Sequence, residues 1–174
     1  MLRGATKVTL DAKGRLAIPT RYRERIQTRC DGHLVATVDR DYCLLLYPLP
    51  DWEEIERKLM RLPSLDSRAR RLQRLMVGHA TEVDLDGHGR ILLSRELREF
   101  AGLDRQAVLL GQGNRFELWD EERWNETRDG WLNDGDDELR ELARFITALG
   151  PSIPWHISAF HPAFQMLDRP RTPV

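Results

Sequence analysis

Apolar and polar positions alternate along several short stretches of the chain, a pattern typical of strands with one buried face. Val8 and Leu10 show it before a polar turn, and Leu16 and Ile18 show it after the turn. The turn is followed by a helical spacing of apolar residues and then by two more apolar stretches. In this half of the chain the predicted strands cover residues 5–10, 16–18, 33–38 and 42–47.

The same order of elements returns 75 residues later, with predicted strands over residues 80–85, 91–93, 107–111 and 115–119. A helix is expected after the second strand of each copy. It starts at Pro19 in the first copy, and Ser94 suits its N-cap in the second. A unit of about fifty residues has too little core of its own, so we expect the two copies to pack as a pseudo-symmetric pair.

Each copy carries the motif Asp-x-x-Gly-Arg between its first two strands, as Asp11, Gly14 and Arg15 and again as Asp86, Gly89 and Arg90. Asp and Gly suit the backbone angles of a tight turn, so the motif predicts that they shape it. The Arg either pairs with the Asp and stiffens the turn, or it reaches phosphates or a base edge. Both roles are compatible if the Asp orients the Arg.

Charge is distributed unevenly although the whole chain carries a net charge of -1. Residues 1–30 contain eight Lys or Arg and two acidic residues, a net charge of about +6 that favours a polyanionic partner. Candidates for phosphate contacts are Lys7, Lys13, Arg21, Arg23 and Arg25.

Two further stretches, Pro19-x-x-Tyr22-Arg23 and Glu117-Leu118-Trp119-Asp120, join the duplicated motif in a resemblance. Over residues 3–132 the chain resembles the MraZ family of bacterial transcriptional regulators, which are built from two AbrB-like halves. The resemblance implies an α+β fold, a duplicated AbrB-like swapped-hairpin β-barrel with flanking helices, to which this chain adds an atypical C-terminal tail. Carried over by position, the family motif falls on Asp11, Lys13, Gly14 and Arg15 and on Asp86, Gly89 and Arg90. Together with the charge pattern it gives the expected DNA-binding residues as Lys7, Lys13, Arg15, Arg21, Arg23 and Arg90, and the expected turn-shaping residues as Asp11, Gly14, Asp86 and Gly89.

The same resemblance implies a ring-type homo-oligomer that binds double-stranded DNA. The expected sites are repeated boxes upstream of cell-division and cell-wall genes, and the expected location is cytoplasmic and nucleoid-associated. The expected layout is an AbrB-like half, linker helices, a second half, C-terminal helices and an extended tail, at residues 5–50, 51–77, 78–121, 122–149 and 150–174.

Residues 136–174 locally resemble a fragment of radical S-adenosylmethionine enzymes related to pyruvate formate-lyase activating enzymes. The three-cysteine cluster motif of those enzymes is absent, since Cys30 and Cys43 are the only cysteines, so an iron–sulfur enzyme is not supported. The apolar spacing predicts an amphipathic helix over residues 137–149 and, because of its prolines, extended chain after it.

Several classes of function are disfavoured by the sequence. The five histidines have no recognised metal-ligand spacing, and no Gly-rich phosphate loop or nucleophile motif is present, so we expect no enzyme, metal, cofactor or small-molecule substrate. No apolar run approaches the roughly 20 residues that cross a bilayer, which predicts no membrane partner. Two rivals to a DNA-binding regulator stay open: an AbrB-like antitoxin or protein-interaction module, and a radical S-adenosylmethionine enzyme.

Overall fold

The computed structural model describes residues 1–63, 65–133 and 144. Its contacts divide the chain into two compact units, Met1–Asp129 and Gly130–Val174, and the sheets and site described below belong to the first. The strands are β1 (Leu2–Thr9), β2 (Arg15–Ala17), β3 (His33–Val38), β4 (Leu44–Pro48), β5 (Thr81–Asp84), β6 (Arg90–Leu92), β7 (Gln106–Gly113) and β8 (Arg115–Asp120). The helices are α1 (Thr20–Cys30), α2 (Leu49–Met60), α3 (Ser67–Met76), α4 (Arg95–Phe100) and α5 (Glu121–Asn133).

The two copies exchange their first strands. In the six-stranded antiparallel sheet, with order β1-β7-β8-β4-β3-β5, strand β1 of the first copy pairs with β7 of the second copy. Strand β5 of the second copy pairs in turn with β3 of the first. Each hairpin is therefore completed by a strand from the other copy, which agrees with the expectation that neither copy has a sufficient core alone.

A separate two-stranded sheet joins the copies at their centre. Leu16 of β2 pairs with Ile91 of β6 in an antiparallel register. The backbone pairing continues beyond the strands, because the Ile18 N–H donates to the Gly89 carbonyl at 2.9 Å and the Leu93 N–H donates to the Gly14 carbonyl at 3.0 Å. We call β2 and β6 together the β-ribbon. Its two strands are exchanged by a pseudo-twofold axis that passes close to the Leu16–Ile91 pair.

The central strands of the six-stranded sheet, β3 and β4, are buried on both faces. In β3, Leu34 joins one hydrophobic cluster and Val35 joins the other, as the alternation of side chains across a strand requires. The larger cluster contains the inward side chains of the β-ribbon and of α1 and α4. The smaller cluster places Trp52 of α2 against Tyr47 and Trp119.

The mixed α+β architecture with antiparallel sheets is confirmed. The closed swapped-hairpin barrel is not confirmed, because the pairing among the described residues runs from β1 to β5 without joining these two edges.

Helix α4 is capped as expected, by a 3.3 Å bond from the Leu97 N–H to the Ser94 hydroxyl. Residues 137–149 and the Pro-rich tail lie outside the described residues apart from Arg144, so those two predictions remain open. Among the described helices none is long and apolar enough to cross a membrane.

Candidate nucleic-acid interface

The turn at residues 11–15, which we call the first turn, is shaped by one carboxylate. Asp11 Oδ1 accepts the backbone N–H groups of Lys13 and Arg15, both at 2.9 Å. Asp11 Oδ2 accepts Nε–H of the Arg15 side chain at 2.7 Å. The Gly14 N–H closes the turn by donating to the Asp11 carbonyl at 2.9 Å. The carboxylate thus fixes both the backbone of the turn and the direction of the guanidinium.

The turn at residues 86–90, the second turn, repeats this arrangement. Asp86 Oδ1 accepts the N–H groups of His88 at 2.8 Å and Arg90 at 2.9 Å. Asp86 Oδ2 accepts Nε–H of the Arg90 side chain at 2.9 Å, and Arg90 Nη2 lies 2.8 Å from the same oxygen in an ion pair. The structural role of the motif is therefore present in both copies, because the Asp shapes the turn and pairs with the Arg; contact of the Arg with DNA stays a prediction.

These bonds to the ionised carboxyl groups lower their pKa values. For Asp86 the pKa falls from 3.8 to about 2, first because the Arg90 backbone N–H donates to the carboxylate and then because the Arg90 side chain does. The pKa of Asp11 is also lowered, chiefly by the backbone N–H of Arg15. Both turns consequently keep a carboxylate, and not a carboxylic acid, beneath the Arg at neutral pH.

Each glycine of the motif lies under an arginine from the other copy. Gly14 has φ +81° and Gly89 has φ +73°, backbone angles that residues other than glycine rarely adopt. A Cβ at Gly14 would lie 2.7 Å from Nε of Arg98 in α4, and one at Gly89 would collide with the Arg23 side chain of α1. Arg23 Nε also donates to the Ile18 carbonyl at 2.7 Å. The turns and helices of the two copies are thus interlocked.

The β-ribbon has one apolar face and one face that carries arginines. Leu16 and Ile91 point inward from the ribbon, as do Ile18 and Leu93, which directly follow its strands, and all four are at most 1% exposed. Because successive residues of a strand alternate between faces, the outward face holds Arg15 and Ala17 on β2 and Arg90 and Leu92 on β6. The outward side chains pair across the strands, Arg15 with Leu92 and Ala17 with Arg90. We call these four residues the ribbon face.

An open groove of about 700 Å³ adjoins the ribbon face on the side of the first turn. Four arginines line it: Arg15, Arg90, Arg98 and Arg105. Their charge is partly balanced by Asp11 and Asp104. Arg98 Nε is buried and finds no hydrogen-bond acceptor among the described residues. Such a surface suits a ligand that supplies several negatively charged oxygens.

The comparisons with known proteins identify the family. A family model described as "MraZ protein, putative antitoxin-like" matches residues 1–75 and again residues 76–131. The transcriptional regulator MraZ of Thioalkalivibrio sulfidiphilus is 58% identical over 149 residues, which are 86% of this chain and 99% of that protein. The chain belongs to the MraZ family. The protein of that name from Methylococcus capsulatus is 54% identical over 86% of this chain and 99% of its own length, and the one from Pseudomonas aeruginosa is 56% identical over 72% and 83%.

Membership of the MraZ family supports the predicted role in transcription regulation. These MraZ relatives are named as regulators and not as enzymes, which confirms the prediction that the chain is not an enzyme. Neither the family model nor these relatives support the resemblance of residues 136–174 to radical S-adenosylmethionine enzymes. No cluster of metal-ligating side chains occurs in the part of the chain that the structure describes.

The six cations predicted to bind DNA have different surroundings. Arg15 and Arg90 lie on the ribbon face, and the exposed Lys13 lies in the first turn. Lys7 is exposed on β1 and forms an ion pair with Glu121 at 2.5 Å. Arg21 donates to the Tyr22 hydroxyl at 2.6 Å and stacks on its ring, and Arg23 is engaged beneath the second turn. The structure therefore places Arg15 and Arg90 on the ribbon face and Lys13 in the adjoining turn, whereas the other three lie off that face.

Sequence reasoning missed Arg98 and Arg105, which line the groove beside Arg15. A signal for Arg98 was present in the MraZ repeat, because it follows Asp86 by twelve residues, as Arg23 follows Asp11. The residue that corresponds to Arg105 in the other copy is Gly32, which is not basic. The two correspond because the Arg105 carbonyl accepts the Leu10 N–H at 2.9 Å, and the Gly32 carbonyl accepts the N–H of Leu85, the equivalent of Leu10. Only the strand pairing reveals this equivalence.

Proposed function

We propose that this protein is a sequence-specific, double-stranded-DNA-binding transcriptional regulator and that the ribbon face is its reading surface. The observation that carries the proposal is the geometry of Arg15 and Arg90. Both project from one face of a two-stranded antiparallel ribbon, and a carboxylate of the same turn orients each of them. The names of the MraZ relatives support a role at DNA, and the groove arginines supply the charge that such a role needs.

The chemistry of the ribbon face fits base recognition. A two-stranded ribbon can enter the major groove, and a guanidinium can donate two parallel hydrogen bonds to O6 and N7 of guanine. Arg15 binds Asp11 through Nε, so its two terminal nitrogens have no hydrogen-bond acceptor among the described residues. Pairing with Asp holds each Arg in one orientation before DNA arrives, which lowers the entropic cost of binding.

Phosphate contacts come from the cations around the ribbon face. Lys13 in the first turn, with Arg98 and Arg105 in the adjoining groove, would meet the sugar–phosphate backbone beside the reading strands. Such contacts position the protein and make its affinity fall with salt, but they carry no sequence information. Lys7, Arg21 and Arg23 contribute less in this arrangement, because they lie off the ribbon face and do not line the groove.

Several subunits acting together would account for binding at repeated boxes. One β-ribbon is only two strands of three residues, which limits the number of bases it can contact. A ring-type homo-oligomer would present several ribbon faces at once, so that individually weak contacts combine through a high effective concentration. We propose boxes upstream of cell-division and cell-wall genes as the targets and a cytoplasmic, nucleoid-associated location, in line with the MraZ resemblance.

Footprinting tests the proposal directly. The full-length protein is incubated with the DNA upstream of its own gene, and protection is mapped at about 150 mM salt. The proposal expects protection of short sequences repeated at regular spacing, with an affinity that falls steeply between about 50 and 200 mM salt. Uniform protection along the fragment, or none, would contradict sequence-specific binding.

An AbrB-like antitoxin or protein-interaction module is the second candidate, favoured by the antitoxin-like description of the matching family model. Such a module would bind a protein partner through its surface, and its binding to DNA would be incidental. The salt titration discriminates between the two functions. A repeated footprint with steep salt dependence argues for the regulator, whereas affinity for a protein partner without a footprint argues for the module.

A further inference from the structure

We propose that Leu92 contacts the 5-methyl group of a thymine in the box, while Ala17, its counterpart on the other strand, makes no such contact. The two ends of the ribbon face would then read different bases, and the protein would distinguish the two directions of its box. The inference rests on the proposed function, because it names which group of the DNA one residue of the ribbon face recognises.

The position of Leu92 sets it apart from the rest of its strand. Ile91 and Leu93 are each 1% exposed, whereas Leu92 is 58% exposed and points outward between them. It lies directly across the β-ribbon from Arg15 and two residues after Arg90, on the same face as both. A large apolar side chain therefore stands in water between two oriented guanidinium groups.

The neighbouring arginines favour DNA over protein or lipid as the group that covers Leu92. An apolar partner surface would desolvate Arg15 and Arg90 without offering them hydrogen-bond acceptors. This would cost free energy, because the Asp carboxylates accept from only some of the guanidinium N–H groups. The major groove offers guanine acceptors for the arginines and, in the thymine methyl, an apolar group for the leucine. One surface of B-DNA therefore satisfies all three side chains together.

Ribbon geometry fixes where the thymine should be. Residues directly opposite on antiparallel strands lie roughly 5 Å apart, and base pairs are stacked about 3.4 Å apart. Leu92 and Arg15 are such a pair. The thymine should accordingly lie within about two base pairs of the guanine that Arg15 reads.

The other end of the ribbon face lacks this feature. Ala17 pairs with Arg90 as Leu92 pairs with Arg15, but its side chain ends at Cβ and cannot reach as far. The pseudo-twofold axis therefore relates Arg15 to Arg90, but it relates Leu92 to an alanine, Ala17. A box read by this surface would be asymmetric at the level of a single subunit.

The test begins with in vitro selection of duplexes by the full-length protein. Each thymine of the selected box is then replaced singly by deoxyuridine, which lacks only the 5-methyl group. With the native protein, one replacement near the Arg15 guanine should weaken binding about fourfold, the effect of burying one methyl group. The Leu92→Ala variant should bind the thymine and deoxyuridine duplexes equally.

Leu65→Ala is the matched control, because Leu65 is 92% exposed and lies between α2 and α3, away from the β-ribbon. This variant should keep the fourfold preference. Thermal unfolding of both variants checks that each is folded. The inference is overturned if no single replacement weakens binding by the native protein, or if Leu92→Ala retains the preference.

The selection step separates this inference from the proposed function. If no sequence is enriched, the proposed function fails and the reading by Leu92 fails with it. If a box is enriched but no methyl group matters, DNA recognition stands and only the role of Leu92 is removed.

Discussion

The first and second turns have the same internal hydrogen bonds and different surroundings. In both, an Asp carboxylate accepts two backbone N–H groups and orients the Arg four residues later. Around them the chemistry diverges: Lys13 corresponds to His88, Arg105 to Gly32, and Ala17 to Leu92. The backbone geometry of the turn requires the hydrogen bonds that the two copies share. The side chains that this geometry does not require differ between the copies.

This difference shows how a duplicated scaffold can present an unsymmetrical surface. Lys13, His88, Ala17 and Leu92 are exposed, so these differences lie outside the interlocked core. The first turn has the greater basic charge, and the ion-pair distance to the Asp is measured from Nε for Arg15, at 2.7 Å, but from the terminal Nη2 for Arg90, at 2.8 Å. We therefore expect the first turn to contribute more to DNA affinity than the second.

The largest expected effect tests the shared geometry. Gly89→Ala forces a side chain into a positive-φ position and against Arg23, so the free energy of unfolding should fall by about 2 to 4 kcal/mol. Urea denaturation measures it. Gly102→Ala is the control, because Gly102 has φ +61° but open space around it, and it should lose only about 1 kcal/mol. Equal losses in the two variants would show that the contact with Arg23 is unimportant.

The next largest effect tests whether Arg15 contributes more to DNA affinity than Arg90 does. Arg15→Ala should weaken specific DNA binding by about tenfold to a hundredfold, since a bidentate contact to a base contributes roughly 1 to 3 kcal/mol. Arg90→Ala should cost less, because one of its terminal nitrogens is already bound to Asp86. Fluorescence anisotropy with the selected duplex measures both affinities. A larger loss for Arg90→Ala would reverse the proposed ranking of the turns.

A smaller effect concerns the carboxylates and pH. Because the pKa of Asp86 is depressed from 3.8 to about 2 in the folded protein, its stabilising contribution is complete above about pH 4 and is lost as the pH falls toward 2. NMR titration of the carboxyl carbon should show this low midpoint. In Asp86→Asn the contribution is absent, so the difference in the free energy of unfolding between native protein and variant should shrink over that range. A midpoint near 3.8 would contradict the hydrogen bonding described for the second turn.

The smallest effect concerns the charge of the first turn. Lys13→Gln should lower DNA affinity a few fold, equally for specific and nonspecific duplexes, and should reduce the slope of log affinity against log salt by about one. Lys58→Gln is the matched control, because Lys58 is an exposed lysine of α2 paired with Glu54. A change in the order of preferred sequences would instead place Lys13 at a base edge.

Much of the fold followed from the sequence because local patterns determined it. Alternation in residues 5–10 and the motif at Asp11 predicted β1 and the turn, and Ser94 proved to be the N-cap of α4. The exchange of first strands between the copies depends on pairing between residues about a hundred apart, such as Val8 with Ala107, and no local pattern encodes it.

The candidate site was predicted only in part, for the same reason. The repeated motif identified Asp11, Gly14 and Arg15 in the sequence, and in the structure Gly14 and Arg15 both donate hydrogen bonds to Asp11. Arg105 and Leu92 were not identified in this way, because Arg105 joins the groove through its place in the fold and Leu92 resembles any core leucine of a short strand. Charge alone selected Arg23, and it gave no sign that the Arg23 guanidinium packs beneath the second turn.

The central claim is that the oriented arginines of the ribbon face read DNA, and the double variant Arg15→Ala/Arg90→Ala tests it most directly. Its affinity for the selected duplex is measured at about 150 mM salt beside Arg95→Ala, which removes a similar Arg–carboxylate pair, with Glu99 at 2.6 Å, outside the ribbon. We predict that the folded double variant retains only its nonspecific affinity, while Arg95→Ala binds as the native protein does. Specific binding by the double variant at native affinity would contradict the account.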